Sequence, residues 1–125
     1  MELYLTNSKK IFKANESWHA ANYMKEGKYY LQATMLYWNS IRGYIFNWLE
    51  LNKISFTSTR EAIISIISND NFTQYKQDIM FVYSIATMAE WDEYFNISLD
   101  ELNNLKDICK VLKGVLLKFD YELDS

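Results

Sequence analysis

The sequence predicts an all-α protein, built as an up-and-down bundle of four long helices and one short helix. Half of its 125 residues are apolar and 17% are aromatic, whereas it has only three glycines and no proline. A sandwich or barrel of short strands needs frequent turns, which glycine and proline usually supply. A chain of this length is one domain by ordinary size statistics, so we expect residues 1–125 to share one core.

The first predicted helix begins at Asn7 or Ser8, either of which can cap a helix, and runs to about Glu26. Its apolar residues recur at spacings of three and four, as expected for one buried face: Ile11, Ala14, Trp18 and Ala21. Gly27 is predicted to end this helix.

The second predicted helix, about Lys28 to Asn52, is apolar on two neighbouring faces. One face consists of Ala33, Tyr37, Ile41, Tyr44, Trp48 and Leu51, and the other of Leu31, Met35, Trp38, Ile45 and Leu49. A helix that is apolar around so much of its circumference needs partners on several sides. We therefore expect it to be the central helix of the bundle, or to contribute to a subunit interface as well.

Two capping patterns place the next helix starts. Ser58 and Ser98 are each followed three residues later by a glutamate, Glu61 and Glu101, and this spacing satisfies free backbone N–H groups at a helix start. The first pattern opens a short helix to about Ser68, whose isoleucines would also suit a strand.

The last two predicted helices span about Phe72 to Tyr94 and about Leu99 to Phe119. A turn at residues 69–71 separates the first of them from the short helix. The last helix carries an apolar seam of Leu102, Leu105, Cys109, Leu112, Leu116 and Phe119.

The charge distribution argues against nucleic acid as the main partner. Up to Arg60 there are eight basic residues against four acids, and from Glu61 onward five against twelve, which gives a net charge of −3. Nucleic-acid binders usually carry an excess of Lys and Arg, although a local basic patch at Lys9, Lys10 and Lys13 remains. With no secretory signal and no membrane span, we expect a cytoplasmic protein without membrane contact.

No residue pattern predicts catalysis, a cofactor or a metal site. The one histidine, His19, has no identifiable partner, and Cys109 lies on an apolar seam where a small buried residue is expected. A carboxylate cluster could hold a divalent cation but is equally explained as a solvated helix end: Glu90, Asp92 and Glu93. Four methionines lie within apolar stripes and are predicted to fill the core: Met24, Met35, Met80 and Met88.

The order of these segments resembles a known family. A helix that closes at "MKEGKYYLQA", a long aromatic helix with "LYWNSIRGYIFNWLE", a short third helix and two further helices resemble the archaeal PaREP-type proteins and the wider HEPN class of small helical bundles. The resemblance implies a bundle that dimerises and, in some members, accompanies a nucleotidyltransferase subunit. The ribonuclease branch needs a histidine four to six residues after an arginine, and neither Arg42 nor Arg60 has one. The resemblance therefore implies a non-catalytic member.

Arg42, together with Asn39, is the candidate binding residue. A guanidinium in so apolar a helix must reach water, pair with an acid or meet an anion, because burying it unpaired would be costly. The plainer expectation is an ion pair with Asp78 or Glu90. The alternative is a pocket between helices, in which Arg42 and Asn39 form a polar floor and the aromatic lining consists of Tyr37, Trp38 and Tyr44.

Two functions therefore remain open. The first is a non-catalytic, HEPN-like interaction module that forms a homodimer or holds a protein partner, since 21 Phe, Trp and Tyr residues are more than a small core easily hides. The second is a nucleotide- or RNA-binding bundle that uses the Arg42 pocket and the stripe from Lys9 to Lys13.

Overall fold

The computed structural model describes the backbone of residues 2–124 and the side chains of residues 9–118. This part of the chain contains helices and no strand. The α-helices are α1 (Glu2–Glu26), α2 (Tyr30–Leu51), α3 (Thr59–Ile67), α4 (Lys76–Trp91) and α5 (Leu99–Asp124), and a 3-10 helix spans Asp70–Tyr75. The prediction of an all-helical bundle is confirmed.

Helix α2 lies at the centre of the bundle and packs against α1, α3, α4 and α5. No residue between positions 33 and 49 is exposed, and Tyr37, Ile41, Ile45 and Leu49 have no accessible surface at all. The wide apolar circumference that predicted a central helix is thus covered by neighbours on several sides. Only at its start does α2 expose one of the predicted apolar residues, Leu31.

Side-chain contacts give the relative directions of the helices. Three residue pairs join α1 to α2, and as the residue number rises along α1, that of its partner on α2 falls: Lys10 with Glu50, Ala14 with Gly43, and Trp18 with Tyr37. Two lysine–amide hydrogen bonds show the same relation between α1 and α5: Lys25 with Asn103, and Lys113 with Asn15. Helix α1 therefore runs antiparallel to both α2 and α5.

Helices α1 and α2 approach closely where Ala14 faces Gly43. A Cβ atom placed on Gly43 would lie 2.9 Å from the Cβ of Ala14. Non-bonded carbon atoms attract each other best at about 3.5–4.0 Å, so any side chain at position 43 would push the two helices apart. The missing side chain thus sets the spacing of this helix pair.

The ends of α1 and α2 share one C-terminal motif. Lys28 and Lys53 have positive φ angles of 67° and 57°. Immediately after them, the N–H groups of Tyr29 and Ile54 donate to the C=O groups of Met24 and Leu49, both at 2.9 Å. The sequence predicted that Gly27 ends α1, and the helix does end there, but the left-handed residue is Lys28 and no glycine has a positive φ among residues 2–124.

Several predicted boundaries were wrong by a few residues. Helix α1 begins at Glu2, because a capping residue such as Asn7 or Ser8 does not stop a helix when no glycine or proline precedes it. Residues 70–75 form the 3-10 helix that delays α4, and there the side chain of Asn69 accepts a hydrogen bond from the N–H of Asn71 at 2.9 Å. Helix α4 ends at Trp91, and the predicted seam residue Phe119 lies outside the described side chains.

Both predicted capping patterns lie at helix starts. The hydroxyl of Ser98 accepts from the N–H of Glu101, and the N–H of Ser98 donates back to the Glu101 carboxylate, both at 3.1 Å. At α3 the Ser58 hydroxyl accepts from the N–H of Glu61, but the Glu61 carboxylate accepts from the N–H and hydroxyl of Thr57 instead. These hydrogen bonds lower the pKa of both glutamates, mainly through Thr57 at Glu61 and Ser98 at Glu101. The short isoleucine-rich segment is therefore a capped helix rather than a strand.

Candidate functional site

The five residues that the sequence singled out do not line one pocket. Arg42 and Asn39 lie in a groove between α1 and α2. Tyr37, Trp38 and Tyr44 are buried in the core instead, where the Tyr37 hydroxyl donates to Asn22 Oδ1 and the Trp38 ring packs 5.6 Å from that of Tyr83. Helix periodicity explains the separation, because these three aromatic residues occupy the sides of α2 that face its neighbours.

We call the cavity between α1 and α2 the Arg42 groove. Its volume is about 370 Å³, and it is lined by Lys10, Lys13, Ala14 and Ser17 from α1 and by Asn39, Arg42, Gly43 and Phe46 from α2. The closely packed Ala14 and Gly43 contribute no long side chain to it. The groove therefore has a small-residue part flanked by longer polar and cationic side chains.

Arg42 is held by its own helix rather than by an acid. Its Nη2 donates to Asn39 Oδ1 at 2.9 Å, and the residue is only partly buried. The predicted ion pair with Asp78 or Glu90 is not formed, which corrects the plainer expectation. Both acids belong to α4, whereas Arg42 lines a groove made by α1 and α2, where it reaches water and needs no buried counter-ion.

Antiparallel packing brings two lysines of the predicted basic stripe into the groove with Arg42. Lys10 forms an ion pair with Glu50, and Lys13 is exposed. Lys9 is also exposed but does not line the groove. The groove therefore has three cationic side chains, one of which is neutralised by a carboxylate.

A second candidate site is the α4 outer face, which consists of six exposed residues: Met80, Phe81, Ser84, Thr87, Met88 and Trp91. None of them is charged, and Trp91 is 79% exposed. The prediction that Met80 and Met88 fill the core is wrong, since they are 41% and 46% exposed. The inner face of α4 is formed by Ile79, Val82 and Ala86, and helical spacing turns both methionines away from it.

A cavity of about 480 Å³ adjoins this face, between the end of α4, the following turn and the start of α5. Phe81 and Met88 line both the cavity and the α4 outer face. Tyr94, in the turn, is 84% exposed. The exposed apolar surface therefore extends from the middle of α4 to the turn before α5.

The remaining chemical candidates do not form a metal site among the described residues. His19 is exposed, and Glu90, Asp92 and Glu93 are exposed at the end of α4. Within residues 9–118 we find no group of three His, Cys, Asp or Glu residues that could hold a metal ion. Cys109 is fully buried, and this burial raises the pKa of its thiol to about 12, so the thiol stays protonated at neutral pH.

The ammonium group of Lys113 lies against the core, at the junction of α1, α2 and α5. Lys113 Nζ is 5.2 Å from the centre of the Trp18 ring and 5.8 Å from that of Tyr44, and it donates to Asn15 Oδ1 at 3.2 Å. Partial burial lowers the pKa of Lys113. Aromatic faces and an amide oxygen thus replace part of the hydration of this ammonium group.

Comparison of the chain with known proteins gave no match to a family model, a curated protein or a solved structure. None of the helices within residues 2–124 combines the length and the apolar character needed to cross a bilayer.

Proposed function

We propose that the chain is a non-catalytic helical interaction module that forms a homodimer through the α4 outer face. The observation that supports this proposal is the exposure of Met80, Phe81, Met88 and Trp91 on one side of a helix without a charged residue among them. Scattered exposed apolar residues are normal, but a contiguous group on one helix face is typical of an interaction surface.

The exposed area is consistent with a dimer interface. Trp91 and Tyr94 are about four-fifths exposed, which leaves roughly 300–400 Å² of aromatic surface in contact with water. A stable protein interface buries about 800 Å² on each partner. These two aromatic residues would supply nearly half of that area, and Met80, Phe81 and Met88 would add to it.

The charges around the face favour a second copy as the partner. Lys76 lies at the start of α4, whereas Glu90, Asp92 and Glu93 lie at its end. If two α4 helices pack antiparallel about a two-fold axis at Ser84, Met80 faces Met88 of the second copy and Lys76 faces its Asp92. Opposite charges then meet at both ends of an uncharged centre, which makes this surface complementary to a second copy of itself. A dimer is also what the HEPN-like order of the segments implies.

Light scattering during size-exclusion chromatography tests this proposal. The monomer mass is 14.9 kDa, and we expect the wild-type protein to have about twice that mass. Ser84→Arg should yield a monomer, because the two-fold axis would place two guanidinium groups face to face. Gln32→Arg is the control, since it adds the same charge at an exposed position at the start of α2 and should remain dimeric.

Two results would contradict the proposal. One is a wild-type protein that stays monomeric up to about 100 µM, a concentration at which standard-size interfaces associate. The other is a dimer that Ser84→Arg leaves intact. Position 84 is exposed, so we expect this substitution to preserve the helical circular dichroism spectrum.

A further inference from the structure

We propose that the Arg42 groove binds a small phosphate-bearing anion of about the size of a nucleoside monophosphate. This site is separate from the proposed dimer interface, because its lining comes only from α1 and α2, whereas the interface lies on α4. The proposal is therefore independent of the proposed dimerisation.

The arrangement of Arg42 suits a phosphate group. One N–H of the guanidinium donates to Asn39 Oδ1, with 2.9 Å between Nη2 and the oxygen. This hydrogen bond orients the guanidinium group. An arginine side chain has five N–H donors, so about four remain, and their planar fork matches two oxygens of one phosphate. Arg42 forms no ion pair with an acid among residues 9–118, so a bound anion would not have to displace a carboxylate from it.

Further groups across the groove add to this preference for anions. Lys13 on α1 is exposed, and the hydroxyl of Ser17 lies one turn further along the same helix. Lys10 already pairs with Glu50, so the groove has a local excess of positive charge although the whole chain is acidic. A phosphate dianion would find two cations, one from each helix, and a hydroxyl donor in a single depression.

The shape of the groove limits the ligand to a small molecule. Its volume of about 370 Å³ falls at the lower end of the range of roughly 300–1,000 Å³ for small-molecule sites. Gly43 and Ala14 line the groove where the two helices approach closely, and neither brings a long side chain into it. Phe46 also lines the groove, and its ring packs against that of Phe56 with centroids 4.7 Å apart. This ring offers an apolar surface for the planar part of a nucleotide.

An RNA strand is the less favourable ligand for this surface. A strand needs a series of cations that follows its backbone, whereas Lys10 is already paired with Glu50 and the chain as a whole carries a net charge of −3. The small phosphate-bearing ligand is the one that the geometry favours.

The test is a titration followed by heteronuclear NMR at constant ionic strength, with inorganic phosphate, AMP and adenosine as separate probes. We expect AMP to shift the amide signals of α1 and α2 around the groove in a saturable manner. Arg42→Gln keeps a polar side chain with N–H donors but removes the charge, and it should weaken AMP binding about tenfold or more. Lys13→Gln should weaken it about threefold or more. Lys110→Gln, the same change at an exposed position on α5, should have no effect.

The probes separate the two sources of binding. AMP that binds more tightly than inorganic phosphate supports a nucleotide ligand, and equal affinities support a site for the phosphate group alone. Shifts with adenosine but not with phosphate would overturn the proposal. So would the absence of saturable shifts with phosphate or AMP at about 10 mM, a concentration that reveals even millimolar affinity.

Two further results would also overturn it. One is an affinity for AMP in both Arg42→Gln and Lys13→Gln that equals the affinity of the control Lys110→Gln. The other is a single-stranded RNA oligonucleotide that binds this surface while AMP does not. Lys13 is exposed, so the Lys13→Gln variant decides the question even if Arg42→Gln proves poorly folded.

Discussion

Replacing two glycines by alanine, one at a time, should have opposite effects on stability. Gly43 and Gly114 both lie inside α-helices, where alanine is favoured over glycine by about 1 kcal/mol. A Cβ at Gly114 would have no atom within 4 Å, so Gly114→Ala should raise the free energy of unfolding by about 1 kcal/mol. The same methyl group at Gly43 would lie 2.9 Å from the Cβ of Ala14.

The contact with Ala14 should outweigh the helix propensity gained at Gly43. Relieving it requires a shift of roughly half an ångström or more between α1 and α2, and overpacking of this kind typically costs about 1–3 kcal/mol. After the propensity gain of about 1 kcal/mol, Gly43→Ala should lower the free energy of unfolding by up to about 2 kcal/mol. The two variants should therefore differ by about 1–3 kcal/mol despite their identical chemical change.

Urea denaturation followed by circular dichroism measures this difference, with the slope of the transition as a check that the extent of unfolding is unchanged. The double variant Ala14→Gly, Gly43→Ala moves the methyl group from one helix to the other. It should recover part of the loss, because the two Cβ atoms no longer meet. Equal stabilisation by Gly43→Ala and Gly114→Ala would refute the close approach of α1 and α2.

Two further predictions concern Cys109 and the left-handed lysines. Burial raises the Cys109 pKa from 9.0 to about 12, so above pH 9 the unfolded chain releases this proton while the folded chain keeps it. The contribution of this thiol to stability should therefore be complete below pH 9 and decline towards pH 12, by about 2–3 kcal/mol at pH 11. Cys109→Ala should make the decline shallower in urea titrations at increasing pH, while Tyr37, whose pKa burial also raises to about 12, still contributes to it. An unchanged slope in Cys109→Ala would contradict the assignment. Lys53→Gly should raise the melting temperature, since glycine relieves a φ of 57° and gains roughly 0.5–1 kcal/mol. Lys110→Gly, within α5, should lower it, and two variants that shift it in the same direction would exclude a left-handed Lys53.

The sequence predicts the helices better than their ends. The spacing of apolar residues in α2 and α5 depends only on helix geometry, and Leu102, Leu105, Cys109, Leu112 and Leu116 are all buried as predicted. The Ser98–Glu101 cap was predictable because both of its hydrogen bonds are local. The left-handed residue at the end of α1 could not be predicted in this way. Glycine is the residue that usually adopts the left-handed conformation at a helix end, which points to Gly27, but here Lys28 adopts it.

The Arg42 groove and the α4 outer face were harder to predict, because both depend on which helix packs against each side of α2 and α4. Arg42 and Asn39 are three residues apart on one helix, so their proximity follows from the sequence. The proximity of Lys13 to Arg42 requires the antiparallel α1–α2 pairing, which local patterns do not specify. Met80 and Met88 show the same limit, since an apolar residue next to a buried stripe can face either the core or a partner.

The position of α5 in the chain has a consequence for synthesis on the ribosome. Helix α5 covers part of the central α2, yet it begins 48 residues after α2 ends at Leu51. At about 5–20 residues per second, the start of α5 is synthesised roughly 2–10 seconds after the end of α2. Until then, α1 can pack against α2, but the side of α2 that later contacts α5 stays exposed to water. The nascent chain therefore passes through a half-formed bundle whose exposed apolar surface favours aggregation.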